Sequence, residues 1–579
     1  MRKFKRTIAV CLCLVMVLLT VACQSKTKTV SSSNTGIFTG EAEGKSGAIK
    51  VEVTIDNAVI KGIKVIENHE SDFTKNVFEQ LPKDMVAANT SDVDVLAGAT
   101  LTSNGIIKAV KDAITKSGIA LTIKKTTQDN TKVANTSADI VIIGTGGAGL
   151  TAAIEATMEG SKVIVVEKNS FMGGNTNYAT GGMNAAGTKY QAVKGIVDSP
   201  ELFYKDTMIG GHNLNNPALL KTLTEESAGA LYWLESLGAD LSKVSRSGGQ
   251  SADRIHTTKD GAAVGTHLMK IFSENVKKLK IDVRLNTKAV EILSEGNKAT
   301  GIKVETSGGK QYEIKAKAVI VASGGFGANQ EMVTKYKPDL KGFGTTNQPG
   351  ATGDAFPMIE KFNAALVDMK QIQTHPTVVP VKNELITEGV RGEGAILVNR
   401  AGKRFINELE TRDTVSKAIL KQEGGKAFLV FDSGVVDRLA AIKKYKEAGL
   451  LTEAATVAQL GAKIKISPDV LVATMNKYNG YFKTKVDKEF SRRVMAGELS
   501  KGPFYAVEIS PAIHHTMGGI KINTKAEVIN NQNKVIEGLF AAGEVTGGIH
   551  GGNRIGGNAV ADIVIYGRIA GKSAVSFIK

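Results

Sequence analysis

Apolar and polar positions change period several times along this chain, and each change marks an element. Strict alternation in AIKVEVTI from Ala48 and VIKGIKVIE from Val59, broken at Asp56-Asn57, predicts two antiparallel strands joined by a tight turn. GIIKAVKDAIT, from Gly105, then shows a helical period. Two continuous apolar runs follow, IVII from Ile140 and VIVV from Val163, separated by GTGGAG and the helical stretch LTAAIEATMEG. Short runs apolar on every position suit strands buried on both faces of a parallel sheet, with a helix crossing between them. Two polar stretches, QSKTKTVSSSNTG and KKTTQDNTKVANTS, punctuate the pattern and predict a tether at 23–35 and a linker at 124–137.

The first residues follow a different rule. Arg2, Lys3, Lys5 and Arg6 precede an apolar run from Ile8 to Leu19, and small residues then lead into Cys23. The run is shorter than the roughly 20 residues a spanning helix needs, so residues 1–22 are expected to be an export leader and Cys23 a lipid acceptor. The protein would then sit lipid-anchored on the extracytoplasmic face of the cell membrane. The other cysteines, Cys11 and Cys13, fall inside the leader. No thiol would remain for disulfide, haem or iron–sulfur attachment, and no metal site is expected. Without the leader's four cations the net charge of +16 drops to about +12, which favours anionic substrates or lipid. The basic residues are dispersed with no recognition motif, so nucleic acid is not expected as a partner.

Gly144, Gly146, Gly147 and Gly149 sit between a strand and a helix. Glycines there let backbone approach a pyrophosphate, and helix-start amides favour its charge. Glu167 ends the next strand, near the spacing at which a carboxylate meets an adenosine ribose. Upstream, DVLAGATLTSNG from Asp94 contains Asp94, Gly98, Ala99 and Thr100. It resembles the Asp-x-x-(Ser/Thr)-Gly-Ala-Thr motif of small flavin-binding domains in which FMN is esterified through its phosphate to the threonine. Ala97 replaces the usual hydroxyl residue. The resemblance implies covalent FMN on Thr100, with Thr102 the alternative acceptor and a flavin transferase as partner.

Four of the eight histidines, His375, His514, His515 and His550, lie in Gly-rich or polar motifs, as do Arg412 and Arg554. A pair of guanidinium forks matches a dicarboxylate. These residues fall within GGNTNYATGGMNAAGT, QIQTHPT, TEGVRGEGAILVNRAGKRFINE, TRD, IHHTMGG and LFAAGEVTGGIHGGNRIGGNA. With them, the chain from Ala138 onward resembles the soluble fumarate reductases of the flavocytochrome c type, kin to the succinate dehydrogenase flavoprotein. An FMN domain stands where several relatives carry haem.

The resemblance implies an α/β fold: a split Rossmann-like FAD-binding domain (138–368 and 512–579), an inserted α+β capping domain (369–511), and a small α+β FMN-binding domain in front (36–123). It implies non-covalent FAD held by the glycines and Glu167, by Asn175, Thr176, Gly181, Gly182, Asp354 and His515, and by Glu544, Asn558 and Ala559. His514 and Arg554 would take one substrate carboxylate, and His375, Thr387 and Glu388 the other. Arg412 would donate the proton, resupplied through Glu388 and Arg391; Glu388 could instead serve only as a structural partner of Arg391. The implied activity is fumarate reduction, a CH-CH oxidoreductase reaction. Electrons would reach FAD through FMN from a membrane-side donor, either a quinol-linked flavoprotein or a flavin shuttle. Reduction of another enoate (urocanate, acrylate or cinnamate type) and a non-enzymatic extracellular flavin carrier are the alternatives.

Overall fold

The structure is a computed structural model that describes residues 35–70, 74–96, 98–122 and 134–579. The expected leader, Cys23, the tether up to residue 34 and most of the linker lie outside the described residues.

Three hydrophobic cores organise the described residues. In the first, strands Gly36–Glu43, Ala48–Asp56 and Val59–Glu67 form an antiparallel meander. The alternation seen in the sequence becomes a two-faced strand, with Ile49, Val51, Val53 and Ile55 fully buried on one side. The turn between the last two strands puts Asn57 at φ 52° and Ala58 at φ 60°, the paired left-handed geometry that matches the strands' twist. Helices Lys75–Ala88 and Thr100–Ser117 cover the apolar face, the second through Ile106, Ala109, Val110 and Ala113.

In the second core, strands Asp282–Arg284, Val163–Val166, Ile140–Ile143, Ala318–Val321 and Val535–Ala541 lie side by side and parallel. The three central apolar runs are buried along their whole length, as two covered faces require. Helix Gly147–Met158 crosses from one strand to the next, and the C-terminal helix Asn558–Ile578 packs along it. Small residues permit that approach: a Cβ on Gly567 would lie 2.8 Å from Ala148 O, and one on Gly571 2.8 Å from Ala152 O.

The third core, from Ile386 to Ile509, belongs to an antiparallel sheet of Ile372–Val379, Phe504–Thr516, Ala427–Asp432 and Ile396–Val398. Strand Phe504–Thr516 links two cores. Its Ile509 packs in the third core, while Ile513 packs in the second. His514 and His515 follow on that strand, so the cap–body junction delivers both to one cleft.

Candidate active site

A single cavity of about 1290 Å³ runs from the dinucleotide turn to the cap. At one end Gly144 adopts φ 105°, and a Cβ there would stand 2.5 Å from Ala322 O. Only glycine permits this turn. Gly146 and Gly147 line the cavity at the start of helix Gly147–Met158, where backbone amides and the helix dipole face incoming charge. Gly149 lies behind, packed on the Gly144 carbonyl. Glu167 is fixed by three donors, Thr145 N at 3.0 Å, Thr145 Oγ1 at 2.8 Å and Asn169 N at 2.9 Å, and lines the cavity.

Thr176 accepts from Gly147 N at 2.9 Å, and Asn175 donates to Asn347 Oδ1 at 2.6 Å and Glu544 Oε2 at 3.2 Å. Gly181, Gly182, His515, Glu544 and Ala559 complete the wall. Asn558 supports it from behind, donating to Thr207 Oγ1 at 3.2 Å and accepting from Asn184 at 2.5 Å. Asp354 is placed differently: it pairs at 2.8 Å with Lys168, which lines the large cavity, and itself lines a small cleft adjoining it. The glycine turn, the free helix start and the elongated cavity together fit FAD.

The other end is cationic. Arg412 Nε donates to Glu388 Oε2 at 2.7 Å and its Nη1 to Gln373 Oε1 at 3.3 Å. Arg554 Nη2 donates to the same Gln373 oxygen at 3.1 Å, while its Nε is buried without a hydrogen-bond partner. The rings of His375 and His514 meet edge-on at 5.1 Å. Thr346 Oγ1 lies 2.7 Å from His514 Nδ1, which leaves Nε2 for a ligand. Thr387 lines the same space, its backbone amide fixed by Tyr445 OH at 3.0 Å. Arg391 is fully buried outside the lining, 3.8 Å from Glu388 Oε2, with Nη1 on Glu408 O at 2.6 Å.

These placements set the charges. Burial, and then the Arg412, Arg391 and Arg554 charges, push His375 well below its ordinary range. His514 is lowered by burial and Arg412, and His515 by burial and Arg554. All three are held neutral. Burial raises Glu388, but the Arg412 and Arg391 charges outweigh it and bring the carboxyl down to about 2. Arg554 is pushed down by burial and by Arg412. This end of the cavity therefore favours an anion carrying more than one charge.

Several contributors escaped the sequence reading. Gln373 is the shared acceptor that spaces Arg412 from Arg554, and its own Nε2 is fixed on Asn553 Oδ1 at 2.6 Å and Arg554 O at 2.8 Å. It precedes His375 by two residues on one strand, a spacing that places both on one face and was visible in QIQTHPT. Ser247 Oγ, at 2.9 Å, and Gly248 N, at 3.0 Å, hold the second oxygen of Glu388. Behind Arg391, a buried network joins Glu408 to Arg404 at 2.8 Å and to Arg492 at 3.0 Å, and Arg404 to Asp487 at 2.9 Å. In the first domain, Thr100 opens helix Thr100–Ser117 and is exposed. Thr102 is buried with its hydroxyl on Glu70 Oε2 at 2.6 Å, so of the two threonines only Thr100 offers a free hydroxyl at a helix start. That arrangement fits an FMN phosphate on Thr100.

Fold and site together define a flavoprotein oxidoreductase of the CH-CH class, with a small domain ahead of a capped dinucleotide-binding body. An FAD binding domain family matches residues 139–560 and an FMN-binding domain family residues 44–115. The chain belongs to the fumarate reductase-type FAD-binding flavoproteins, with an FMN-binding domain at its N-terminal side. It is 44% identical over 542 residues to an NADH:fumarate oxidoreductase of Klebsiella pneumoniae (strain 342), covering 93% of this chain and 58% of that enzyme. A urocanate reductase of Eggerthella lenta is 35% identical, covering 93% of this chain and 92% of its own. Among solved structures, the open conformation of a flavocytochrome c3 fumarate reductase superposes with a TM-score of 0.66 at 40% identity, over 79% of this chain and 83% of that one.

Proposed function

We propose that the chain is an extracytoplasmic, lipid-anchored fumarate reductase that yields succinate. The carrying observation is the pair of arginines, Arg412 and Arg554, held apart by the one oxygen of Gln373 in the same cavity as the dinucleotide turn. Arg554 and His514 would take one carboxylate; His375, Thr387 and Glu388 would seat and twist the other. Bound reduced FAD supplies a hydride from N5 to one alkene carbon. Arg412 Nε is held by Glu388 and Nη1 by Gln373, which leaves Nη2 to donate the proton to the opposite carbon. Arg412 Nη2, now one proton short, regains it from solvent past Arg391 by way of the Glu388 carboxylate, which takes the proton up and passes it on. The cationic groups lower the energy of the negative charge that develops on the substrate, and a water-poor cleft strengthens them.

Covalent FMN on Thr100, loaded by a flavin transferase, would relay electrons from a membrane-side donor, and Cys23 would tether the protein there. A second reading keeps the chemistry and changes the acid: the Eggerthella lenta relative, matched along nearly this whole chain, is a urocanate reductase. The paired arginines favour the dicarboxylate. The test is turnover of the flavin-loaded protein with a reduced dye across fumarate, urocanate, acrylate and cinnamate. Fumarate is expected to be fastest by about 10,000-fold, the discrimination of a site whose buried polar groups go unpaired with the wrong acid; faster urocanate turnover would replace the assignment.

A further inference from the structure

The first domain does not simply hang beside the second. Phe171, a residue of the FAD-binding part, is 5% exposed and packs inside the core of the small domain together with Ile49, Leu81 and Ile106. Its neighbour Ser170 accepts a hydrogen bond from the Asn76 side chain of helix Lys75–Ala88. Lys45 of the small domain stands over the Tyr178 ring at 4.5 Å, a cation–π contact. Gly98, two residues before Thr100, adopts φ 85°, and a Cβ there would lie 2.9 Å from Asn169 Oδ1. Asn169 and Tyr178 both line the large cavity. One short stretch thus touches the small domain on one side and the dinucleotide site on the other.

The geometry points to residues 169–178 as a docking seat that locks the Thr100-bearing loop against the wall of the dinucleotide cavity, with Phe171 as its pin and Asn169 the contact between the two sites. This rests on the reading that Thr100 carries FMN. In each round the FMN hydroquinone gives two electrons to oxidised FAD, becoming oxidised itself. Protons leave the first flavin to solvent and reach the second from solvent, so the seat has only to carry electrons. Phe171 is a positioning residue: it touches neither the acid site nor the dinucleotide turn, and acts by keeping the docked arrangement populated. Transfer that requires docking slows by the fraction of molecules left docked.

The experiment uses the full-length protein carrying both flavins, with Phe171→Ala and, from the opposite face, Asn76→Ala. Stopped-flow reduction would follow electron passage from FMN to FAD, and hydrogen exchange would follow residues 98–103 and 169–178. In Phe171→Ala the interflavin step is expected to slow about 10- to 100-fold, as docking gives way to tethering. Exchange should rise on both faces with FAD content unchanged, and Asn76→Ala should give a smaller effect in the same direction. In a Thr100→Val background, where a reduced dye feeds FAD directly, Phe171→Ala should not alter turnover. An unchanged interflavin rate, or unchanged exchange on the two faces, would overturn the seat. Absence of an FMN mass on Thr100 would instead overturn the relay reading, leaving the seat to be judged by exchange alone.

Discussion

Replacing Glu388 by Gln keeps the side chain's size and removes its charge. One oxygen faces Arg412 Nε at 2.7 Å, with Arg391 Nη2 at 3.8 Å; the other faces Ser247 Oγ at 2.9 Å and Gly248 N at 3.0 Å. Every close partner is a donor, so an amide must turn its own NH2 group toward one of them. A carboxyl held at about 2 against an ordinary 4.5 favours its anion by roughly 3 kcal/mol, at 1.36 kcal/mol per pH unit. Because the folded value is depressed, this stabilisation is complete above about pH 4.5 and is lost as pH falls through about 2. An assay near neutrality therefore feels the whole loss. The variant is expected to melt at lower temperature, and its turnover should fall about 100- to 10,000-fold, the range for a positioned proton carrier. Its KM for fumarate is expected to change less than kcat, because losing a charge that repels the dianion and losing part of the seat for one carboxylate act in opposite directions. The measurement is dye-driven fumarate turnover per bound FAD, beside thermal unfolding with and without fumarate. Turnover within about tenfold of the parent at full FAD content would refute the relay and leave Glu388 a purely structural partner of the arginines.

Gly144→Ala should yield folded protein that has lost FAD, with affinity down by about 100-fold or more, because a Cβ 2.5 Å from Ala322 O at φ 105° must displace the turn that meets the pyrophosphate; flavin absorbance after gel filtration reads it, and full FAD retention would count against the cradle. Stability should also fall with acidification from about pH 7 to about pH 5.5. His375, His514 and His515 are held below the ordinary 6.5 by burial first and cationic neighbours second, and His256 is lowered to about 4 chiefly by burial. Each takes up its proton on unfolding, so its contribution is complete above about 6.5 and is lost at up to about 1.4 kcal/mol per pH unit below it. Saturating fumarate should flatten the dependence by favouring protonated His375 and His514, and melting curves that ignore pH in this window would show that the histidines are not buried neutral.

What was legible in the sequence was whatever chemistry is local. The turn at Gly144 needs three glycines within a few residues, and the hairpin at Asp56-Asn57 needs only alternation and turn residues. Both carry their own signal. The acid site was legible through motif resemblance, because Arg412 and Arg554 are not near in sequence and meet only through Gln373. Gln373 itself, like Ser247, has no periodicity or charge that separates it from an ordinary polar residue. Arg404 and Glu408, four apart, look like a surface helical pair; instead Glu408 is fully buried, between Arg404 and Arg492. The seat around Phe171 was invisible for the same reason: an apolar residue in a loop names no partner until both domains are folded.

That buried network, by pairing Arg404 and Arg492, leaves Arg412 and Arg554 as the arginines that face the acid end of the cavity. Leaving an unpaired charge buried costs far more than exposing one, so charges beneath the cap are expected to balance unless a ligand completes them. Around the acid site, Arg391, Arg404, Arg412, Arg492 and Arg554 face Glu388, Glu408 and Asp487, while buried Asp562 and Glu544 act on Arg554 from the flavin side. Burial raises the Glu544 carboxyl, against the hydrogen bonds it accepts from Thr516 and Asn175 and the charge of Arg554. Arg404 and Arg492 are paired with Glu408 and Asp487, deep in the cap and outside the cavity lining. Glu388 is shared between Arg391 and Arg412. Arg412 and Arg554, spaced by Gln373, thus present two guanidinium groups to the cavity, a spacing that a four-carbon dianion matches and a monocarboxylate does not.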